Sequence, residues 1–444
     1  MRTIIRKFSL AVAGFCLLNT VIQAKENIGI PEKPLGNSEK VAAGDCTPAS
    51  SSIDLDINNV RARLQNGGDM WWDLINTAKY EIPKSLPGQP ENPSSLFAGA
   101  VWIGGIDAQG QLKVAAATYR QSGNDFFPGP LDDNGSIEDV TCKQWDKHFE
   151  VLGTEIDSFI SLYAAAPLSS TQIAPNILNW PAYGNPYNAN VGNRNMAPFA
   201  DVDGNGLYDP TGGDYPIIDE NCAKFTYADQ MIWWVYNDKG NIHTETNATA
   251  IGMEVQTLAF AFKTNDEIND MTFYKYKLLN KASVPLDSAF MGQWADPDLG
   301  CYTDDYVGCD IETGLGVIYN GQAIDGGACA LNYGNQPPYL GIDYFIGPLD
   351  QNGNQLGMSS FLYYVNDFSV IGNPEGASDF YGYLSGTWKD NTPFTEGGNA
   401  YGGTTPTKFV FPDDPSDNNG WSECAANDVF SDKRFIQSSG PFRL

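Results

Sequence analysis

The chain has 444 residues and is strongly acidic, with 54 Asp and Glu residues against 26 Lys and Arg residues and a formal net charge of −28. This charge repels phosphate, so it argues against a nucleic-acid binder. The sequence holds only two histidines, His148 and His243, which excludes a His-rich zinc site or an HExxH protease. Self-repulsion of this size favours bound divalent cations, and calcium is the cation that we expect.

The N-terminus has the three parts of a secretory signal peptide. Arg2, Arg6 and Lys7 form a basic start, residues 10–21 are an apolar stretch, and Ala24 is a small residue at the expected cleavage point. The apolar stretch is too short to span a bilayer, and no later stretch reaches about 18 apolar residues, so we expect no membrane span. The prediction is a protein that is secreted or held at the outer cell surface.

The cysteines fit this prediction, because an exported chain meets an oxidising environment in which disulfides form. Of the 8 cysteines, only Cys16 lies in the signal peptide. The remaining number is odd, so at least one cysteine is free or pairs outside this chain. Cys16 offers a lipid anchor as an alternative, although Phe15 stands where a lipobox needs a small residue. Cys301 and Cys309 bracket an acidic stretch, so we expect them to pair, and the other pairings stay open.

Composition divides the chain into five segments. We expect a signal peptide at 1–24, a flexible leader at 25–52, an N-terminal β-rich unit at 53–200, a β-sandwich unit with a calcium loop at 201–372, and a loop-rich part at 373–444. The last part is expected to continue in a longer parent chain.

Short apolar, aromatic and β-branched runs separated by Gly, Asn and Pro predict strands. The runs are 96–106, 112–119, 231–236, 251–262, 271–279, 289–294, 314–319, 340–345 and 360–365. The first two, joined across 107–110, are typical of a hairpin. The pattern predicts a mostly β protein of antiparallel, sandwich-like sheets with one or two short helices and long acidic loops. One helix is expected to begin with a capping box between Thr154 and Asp157.

The most specific motif is an aspartate-rich loop with the spacing of a calcium-binding loop. Oxygen ligands at loop positions 1, 3, 5, 7 and 9 surround a glycine at position 6, which permits a sharp turn. Gly212 stands where the bidentate Glu of such loops belongs, and a nearby aspartate could replace it. The flanks are not helical, so the site would be structural, and a plain Asx turn is the alternative. The predicted ligands are Asp201, Asp203, Asn205, Leu207 through its carbonyl, Asp209 and Asp214.

A second acidic stretch follows a predicted strand and contains no Lys or Arg. Carboxylates this close repel one another unless a cation joins them, so calcium and a solvated acidic loop are both open interpretations. The residues are Asp296, Asp298, Asp304, Asp305 and Asp310. Asp296 or Asp298 together with Glu245 or Glu254 could also form a glycoside-hydrolase pair.

Two weaker alternatives involve other side chains. Cys222 and His243 are candidates for thiol catalysis by elimination only, because no flanking signature supports them. The tryptophan doublets at 71–72 and 233–234 could stack on sugar rings, although one member of a doublet in a strand normally faces the core.

Several motifs resemble a family of large exported proteins of the Bacteroidota that are cargo of the type IX secretion system. The motifs are NNVRAR (58–63), GGDMWWD (67–73), SLFAG (95–99), WIGG (102–105), YRQSGNDF (119–126), NDEIN (265–269), QWADPDLG (293–300) and DDYVGCD (304–310). The resemblance spans roughly 53–444. It implies a surface or released β-rich protein with bound calcium and a C-terminal sorting domain beyond the present sequence, and it supplies no reaction.

The sequence therefore predicts a secreted or cell-surface, calcium-stabilised structural or adhesive β protein, and more readily a non-enzyme than an enzyme. Expected partners are surface glycans, other cell-surface proteins and the type IX secretion machinery, with no nucleic acid. The alternative is a carbohydrate-binding module or a glycoside hydrolase that uses Asp and Glu carboxylates.

Overall fold

The protein is described here by a computed structural model, and the described residues are 44–121, 123–221, 224, 226–327 and 329–444. The predicted signal peptide, the leader up to residue 43 and Cys222 lie outside the described residues. Cys46 and Ala49 are buried, although both belong to the predicted leader. A disulfide joins Cys46 to Cys142. The fold therefore begins earlier than the predicted boundary at Ile53.

Strands dominate the described residues, and every pair of named strands is antiparallel. The strands are β1 (Ser52–Leu55), β2 (Arg61–Gln65), β3 (Asp69–Met70), β4 (Tyr80–Glu81), β5 (Ser94–Asp107), β6 (Leu112–Ala115), β7 (Phe127–Pro128), β8 (Phe149–Leu152), β9 (Phe199–Ala200), β10 (Tyr215–Pro216), β11 (Gln230–Asn237), β12 (Met253–Ala261), β13 (Phe273–Asn280), β14 (Leu286–Pro297), β15 (Asp305–Asp310), β16 (Leu315–Asn320), β17 (Tyr339–Asp343), β18 (Ser360–Val365), β19 (Phe394–Thr395), β20 (Pro406–Thr407) and β21 (Lys433–Phe442). The α-helices are α1 (Asp139–Trp145), α2 (Gly153–Ala165), α3 (Pro175–Leu178), α4 (Ala377–Ser385) and α5 (Glu423–Ala426). The predicted mostly β fold is confirmed, with five helices where one or two were expected.

The largest sheet has nine strands in the order β1-β2-β3-β5-β14-β21-β18, with β4 paired to β2 and β5, and β6 paired to β5. The pairing of β5 with β6 confirms the predicted hairpin. At the centre, β14 lies between β5 and β21. The sheet therefore takes neighbouring strands from all three predicted segments, 53–200, 201–372 and 373–444.

A five-stranded sheet has the order β13-β12-β11-β7, with β8 also paired to β11. Successive side chains of a strand point to opposite faces. On β11, Ile232 and Trp234 join the main hydrophobic core, which also contains the large sheet. Met231 and Trp233 face a second core. The two sheets therefore share one core, and a second core covers the outer face of the smaller sheet.

Helix α2 forms part of this second core through Ile156 and Phe159. The predicted capping box is wrong in its residues. The side chain of Glu155 accepts a hydrogen bond from the backbone amide of Leu152 at 2.9 Å, whereas Asp157 accepts one from the Tyr227 hydroxyl at 2.6 Å. The helix begins one residue earlier than Thr154, so Glu155 occupies the third helical position that a capping box requires.

Strands β15, β16 and β17 form a three-stranded sheet. Part of β15 was predicted to be an acidic loop, and β21 and α4 were not predicted at all. β21 is hidden from pattern analysis because it buries polar side chains such as Gln437 and Ser438 beside its apolar ones. Both of its edges are paired, to β14 and β18, which satisfies its backbone inside the sheet.

Candidate metal centre

Residues 201–214 form a loop, here named the Asp201 loop, whose ends are held together by the pairing of β9 with β10. Gly204 and Gly206 have φ angles of 75° and 77°, which glycine adopts without steric cost. Tyr208 is completely buried, and its hydroxyl donates to the carbonyl of Ile177 at 2.6 Å. The loop is therefore tightly turned at its tip and fixed to the second core.

Three carboxylates of this loop converge. One oxygen each from Asp201, Asp203 and Asp214 lie within 4.8 Å of one another. Calcium binds oxygen at about 2.3 to 2.6 Å, so oxygens on opposite sides of the ion lie about 5 Å apart. Asp214 is completely buried. Burial raises its pKa, and the charges of Asp203 and Asp201 add to that rise. The spacing suits a calcium ion, and a cation would relieve this repulsion.

Backbone amides of the same loop also satisfy these carboxylates. Asp201 accepts hydrogen bonds from the amides of Gly204 and Gly206, each at 2.9 Å. Asp214 accepts them from Val202 at 2.8 Å and from Asp209 at 2.9 Å. An ionised carboxylate has about four lone-pair positions, so these amides leave room for a cation. The loop can therefore fold locally as Asx turns and still offer oxygens to calcium.

The remaining predicted ligands of the loop have other contacts. The side-chain oxygen of Asn205 accepts from the amide of Leu207 at 2.7 Å, and its NH2 group donates to Asp203 at 2.8 Å. Asp209 accepts from the amide of Thr211 at 2.9 Å. The structure thus brings together three of the six predicted ligands, and the others shape the turn around them. Calcium binding itself stays a prediction.

The second acidic stretch is divided between different places. Asp310 lies at the opposite end of β15 from Asp305, about 16 Å away at the usual strand rise, and accepts from the Glu312 amide at 2.9 Å. Asp296 is completely buried beside Arg434, whose Nε lies 3.5 Å from its Oδ1. One oxygen of Asp296 lies within 4.8 Å of one each from Asp298 and Asp432. Asp310 therefore shares no site with the rest, and Asp296 meets only Asp298 of that stretch.

The other members of that stretch meet a residue that the sequence reasoning missed. Asp298, Asp304, Asp305 and Asp325 are 9%, 3%, 2% and 1% exposed, and we name them the buried aspartate cluster. Burial raises the pKa of Asp305 well above its usual value, and the charges of the other three aspartates raise it further. Burial, followed by the charge of Asp325, also raises the pKa of Asp304.

Asp325 was missed because its connection to the cluster depends on a disulfide. Cys301 pairs with Cys329, 28 residues away, so the predicted Cys301–Cys309 pair is wrong. Cys309 lies within β15, where it is buried and free. A correct disulfide assignment would have brought the segment with Asp325 next to the acidic stretch. No local signal marks Asp325, which stands in an ordinary Asp-Gly-Gly turn.

The carboxylates proposed for glycoside hydrolysis lie in other contacts. Glu254 is 3% exposed and accepts from the amide of Leu131 at 2.9 Å. Glu245 accepts from the Thr118 hydroxyl at 2.6 Å, and Asp296 accepts from the Tyr119 hydroxyl at 2.6 Å. These groups are built into the packing of the sheets, and none of these contacts favours a hydrolytic pair.

His243 is a buried cation rather than a catalytic base. Its Nδ1 lies 2.9 Å from the carbonyl oxygen of Val114, and its Nε2 lies 2.7 Å from that of Asp238. Carbonyl oxygens only accept, so both ring nitrogens donate and the ring is charged. Although burial opposes this charge, the carboxylates of Asp125 and Asp238, each 3.6 Å away, raise the pKa of His243. The ring has no lone pair left for a thiol.

The tryptophan doublets are also internal. Trp71 and Trp72 are 3% and 0% exposed, and Trp233 and Trp234 are 2% and 0% exposed. The two members of the second doublet point into different cores. Neither doublet offers an exposed ring for stacking on a sugar.

No protein-family model, curated protein or solved structure matches this chain. None of the helices among the described residues combines the length and the apolar character needed to cross a membrane. The functional interpretation therefore rests on the geometry of the acidic sites.

Proposed function

We propose that the protein is an exported, calcium-stabilised structural or adhesive β protein of the cell surface. The observation that carries this proposal is the convergence of Asp201, Asp203 and Asp214 within 4.8 Å where the two ends of a tightly turned loop meet. The strong net negative charge and the predicted signal peptide support it. The resemblance to type IX secretion cargo supports it as well. The binding partners that we propose are surface glycans or other surface proteins.

Calcium in this loop would act passively, by joining the two ends of the loop at the edge of the second core. Asp201 and Asp203 come from its start and Asp214 from its end, next to β10. A ligand that binds only the folded form stabilises it by about 2.7 kcal/mol at a hundredfold excess over Kd. Calcium is abundant outside cells, so such a site suits an exported protein.

The test is a thermal melt of the chain from residue 25 in calcium and in EGTA, with metal analysis. We expect Asp203→Ala to lose part of the calcium-dependent rise in Tm. Asp350→Ala is the matched control. Asp350 also accepts hydrogen bonds in an exposed turn, from the amides of Asn352 and Asn354 at 2.8 Å. It belongs to none of the clusters of converging carboxylates found among the described residues. An unchanged calcium response in Asp203→Ala would exclude the loop as a calcium site.

The adhesive role needs a separate experiment. The folded chain is screened against polysaccharides for binding and for release of reducing sugar. Binding without release supports a surface-binding role, whereas release of sugar would establish an enzyme and contradict the proposal.

A further inference from the structure

Asp304, Asp305 and Asp325 of the buried aspartate cluster lie close enough together for their charges to repel one another. Within the ranges that the structure describes, no Lys, Arg or His forms an ion pair with Asp304, Asp305 or Asp325. Some buried carboxylates elsewhere in the fold have such a partner, as Asp69 has in Arg120 at 3.0 Å. Burying several carboxylates together without positive charge is strongly unfavourable.

Three carboxylate oxygens in the cluster have no donor of good geometry. Within the described residues, both side-chain oxygens of Asp304 and the Oδ1 of Asp305 are completely buried and accept no hydrogen bond of good geometry, although the amide of Gly326 lies near enough to Asp304 to counteract the rise of its pKa. Buried carboxylate oxygens are nearly always hydrogen-bonded or bound to a metal. Backbone amides reach other carboxylate oxygens of the cluster. The amide of Leu299 donates to Asp305 at 2.8 Å, and the amides of Cys301 and Tyr333 donate to Asp325. A cation bound by the three oxygens without such donors would supply the positive charge that their burial favours.

The geometry around these oxygens is compact. One oxygen of Asp304 and one of Asp325 lie within 4.8 Å of each other and of the Cys301 sulfur. That sulfur is part of a disulfide, so it forms a wall of the site and is not a thiolate ligand. Gly300, with φ of 81°, lets the backbone approach the Asp325 carboxylate, since a Cβ there would lie 2.0 Å from Asp325 Oδ2. Any side chain at position 300 would therefore displace Asp325.

We propose that Asp304, Asp305 and Asp325, with Asp298 beside them, form a second, buried cation site that binds calcium. Only carboxylate oxygens are offered, with no imidazole and no free thiolate, and this donor set selects a hard cation. Magnesium dehydrates reluctantly and keeps several waters, so an enclosed site with many carboxylates favours calcium.

The cation would join two segments that are distant in sequence. Asp304 and Asp305 lie at the start of β15, and Asp325 lies in the loop after β16. The Cys301–Cys329 disulfide connects the same two segments. The site would therefore fasten the loop after β16 to the start of β15 within the three-stranded sheet. This proposal rests on other residues than the proposed function and does not depend on the Asp201 loop.

The test uses the chain from residue 25, stripped of metal with EGTA and then titrated with calcium by calorimetry and by native mass spectrometry. We expect Asp304→Asn and Asp325→Asn each to bind one calcium fewer than the unmodified chain. Asp310→Asn is the control on the same strand, and we expect it to keep the full number. A full number of calcium ions in Asp304→Asn and Asp325→Asn would overturn the proposal.

A second measurement separates a cation ligand from a residue needed only for packing. In EGTA, Asp304→Asn removes one of several repelling charges, so we expect it to melt higher than the unmodified chain. In calcium, we expect it to melt lower. A lower Tm of Asp304→Asn in both buffers would overturn the proposal. If Asp304→Asn does not fold, native mass spectrometry compares the unmodified chain with Asp203→Ala. One calcium ion in the unmodified chain and none in Asp203→Ala would overturn the proposal.

The two proposed sites fail separately. Loss of one calcium in Asp304→Asn with no change in Asp203→Ala would support the buried site and contradict the Asp201 loop. The reverse result would support the Asp201 loop and contradict the buried site. If both sites exist, the double variant should lose two calcium ions.

Discussion

Around His243, two buried carboxylates face one imidazolium, whereas in the buried aspartate cluster the carboxylates face one another. In the first region, Asp125 and Asp238 are completely buried, and each lies 3.6 Å from a nitrogen of the His243 ring. In the second region, Asp304 and Asp325 are almost as deeply buried, but no ion pair from the described chain reaches them. Of these two regions, only the one around His243 therefore has a cation that the described chain supplies.

Two other buried carboxylates follow the first pattern, whereas Asp214 and Glu254 are held by backbone amides. Arg434 lies beside Asp296, and Lys433 forms an ion pair with Glu423 in which both side chains are almost completely buried. A cation supplied by the chain makes folding independent of the ions in the medium. A cation taken from the medium makes it depend on calcium. We therefore expect the stability of the buried aspartate cluster to depend on calcium, and the stability of the region around His243 not to depend on it.

The largest effect is expected for His243→Gln. Removing the imidazolium leaves Asp125 and Asp238 buried without a cation, which typically costs about 3 to 5 kcal/mol. Unfolding in urea, with and without calcium, measures the free energy of unfolding. Because the lost cation belongs to the chain, calcium should not restore the loss.

The control for His243→Gln is Lys143→Gln, which breaks an exposed ion pair between Lys143 and Asp139 on α1. Exposed pairs of this kind contribute at most about 0.5 kcal/mol. If His243→Gln were as mild as Lys143→Gln, the view of His243 as a structural cation would be wrong.

The next largest effect is expected for the double variant Cys301→Ser, Cys329→Ser. Opening a loop of 28 residues costs about 3 to 4 kcal/mol in the chain-entropy account. If calcium joins Asp304 to Asp325 as proposed, it fastens the same segments, so the loss should be smaller in calcium than in EGTA. Cys424→Ser, at an exposed free cysteine, is the control. Equal losses in both buffers would mean that no cation connects these segments.

The two acidic sites also differ in what the sequence could predict. The Asp201 loop is local, so the spacing of its oxygens and glycines was readable in the sequence, and it included the three aspartates, Asp201, Asp203 and Asp214, that the structure brings within 4.8 Å. The buried aspartate cluster depends on a disulfide and on strand pairing, so Asp325 could not be found and Asp310 was included wrongly. Likewise, strongly apolar strands such as β5 and β11 were predicted, whereas β21 was missed because it buries polar residues that only its neighbours satisfy.

The pKa values of the two histidines should be shifted in opposite directions. NMR can follow both rings separately, because the chain has only two histidines. Burial lowers the pKa of His148 to about 3, while the carboxylates raise that of His243. We expect the His148 ring to stay neutral down to about pH 4 and the His243 ring to stay charged above pH 6.5. Ordinary titration of both rings near pH 6.5 would contradict the burial and ion pairing described here.

The same shifts give opposite contributions to stability. The folded-state pKa of His148 is depressed, so its contribution is full above pH 6.5 and is lost as pH falls towards 3. The pKa of His243 is raised, so its contribution is full below pH 6.5 and is lost as pH rises through the folded-state pKa. When the pH falls from 6.5 to 5, the unmodified chain should lose about 1 to 2 kcal/mol of its free energy of unfolding because of His148. His148→Phe should not show this loss. Urea unfolding at both pH values measures it.

The smallest effect is expected for Tyr208→Phe, which tests how the Asp201 loop is anchored. The Tyr208 hydroxyl donates to the carbonyl of Ile177, and its removal leaves that oxygen with the backbone amide of Trp180, at 3.2 Å, as a donor. This should cost about 0.5 to 1.5 kcal/mol, measured by urea unfolding. Because the three carboxylates and the amides that bind them are unchanged, calcium should still raise Tm, with a somewhat weaker affinity from a less rigid loop. Complete loss of the calcium response would instead mean that the turn at Gly204 and Gly206 depends on the second core, and the loop would not be the locally determined site that its sequence indicates.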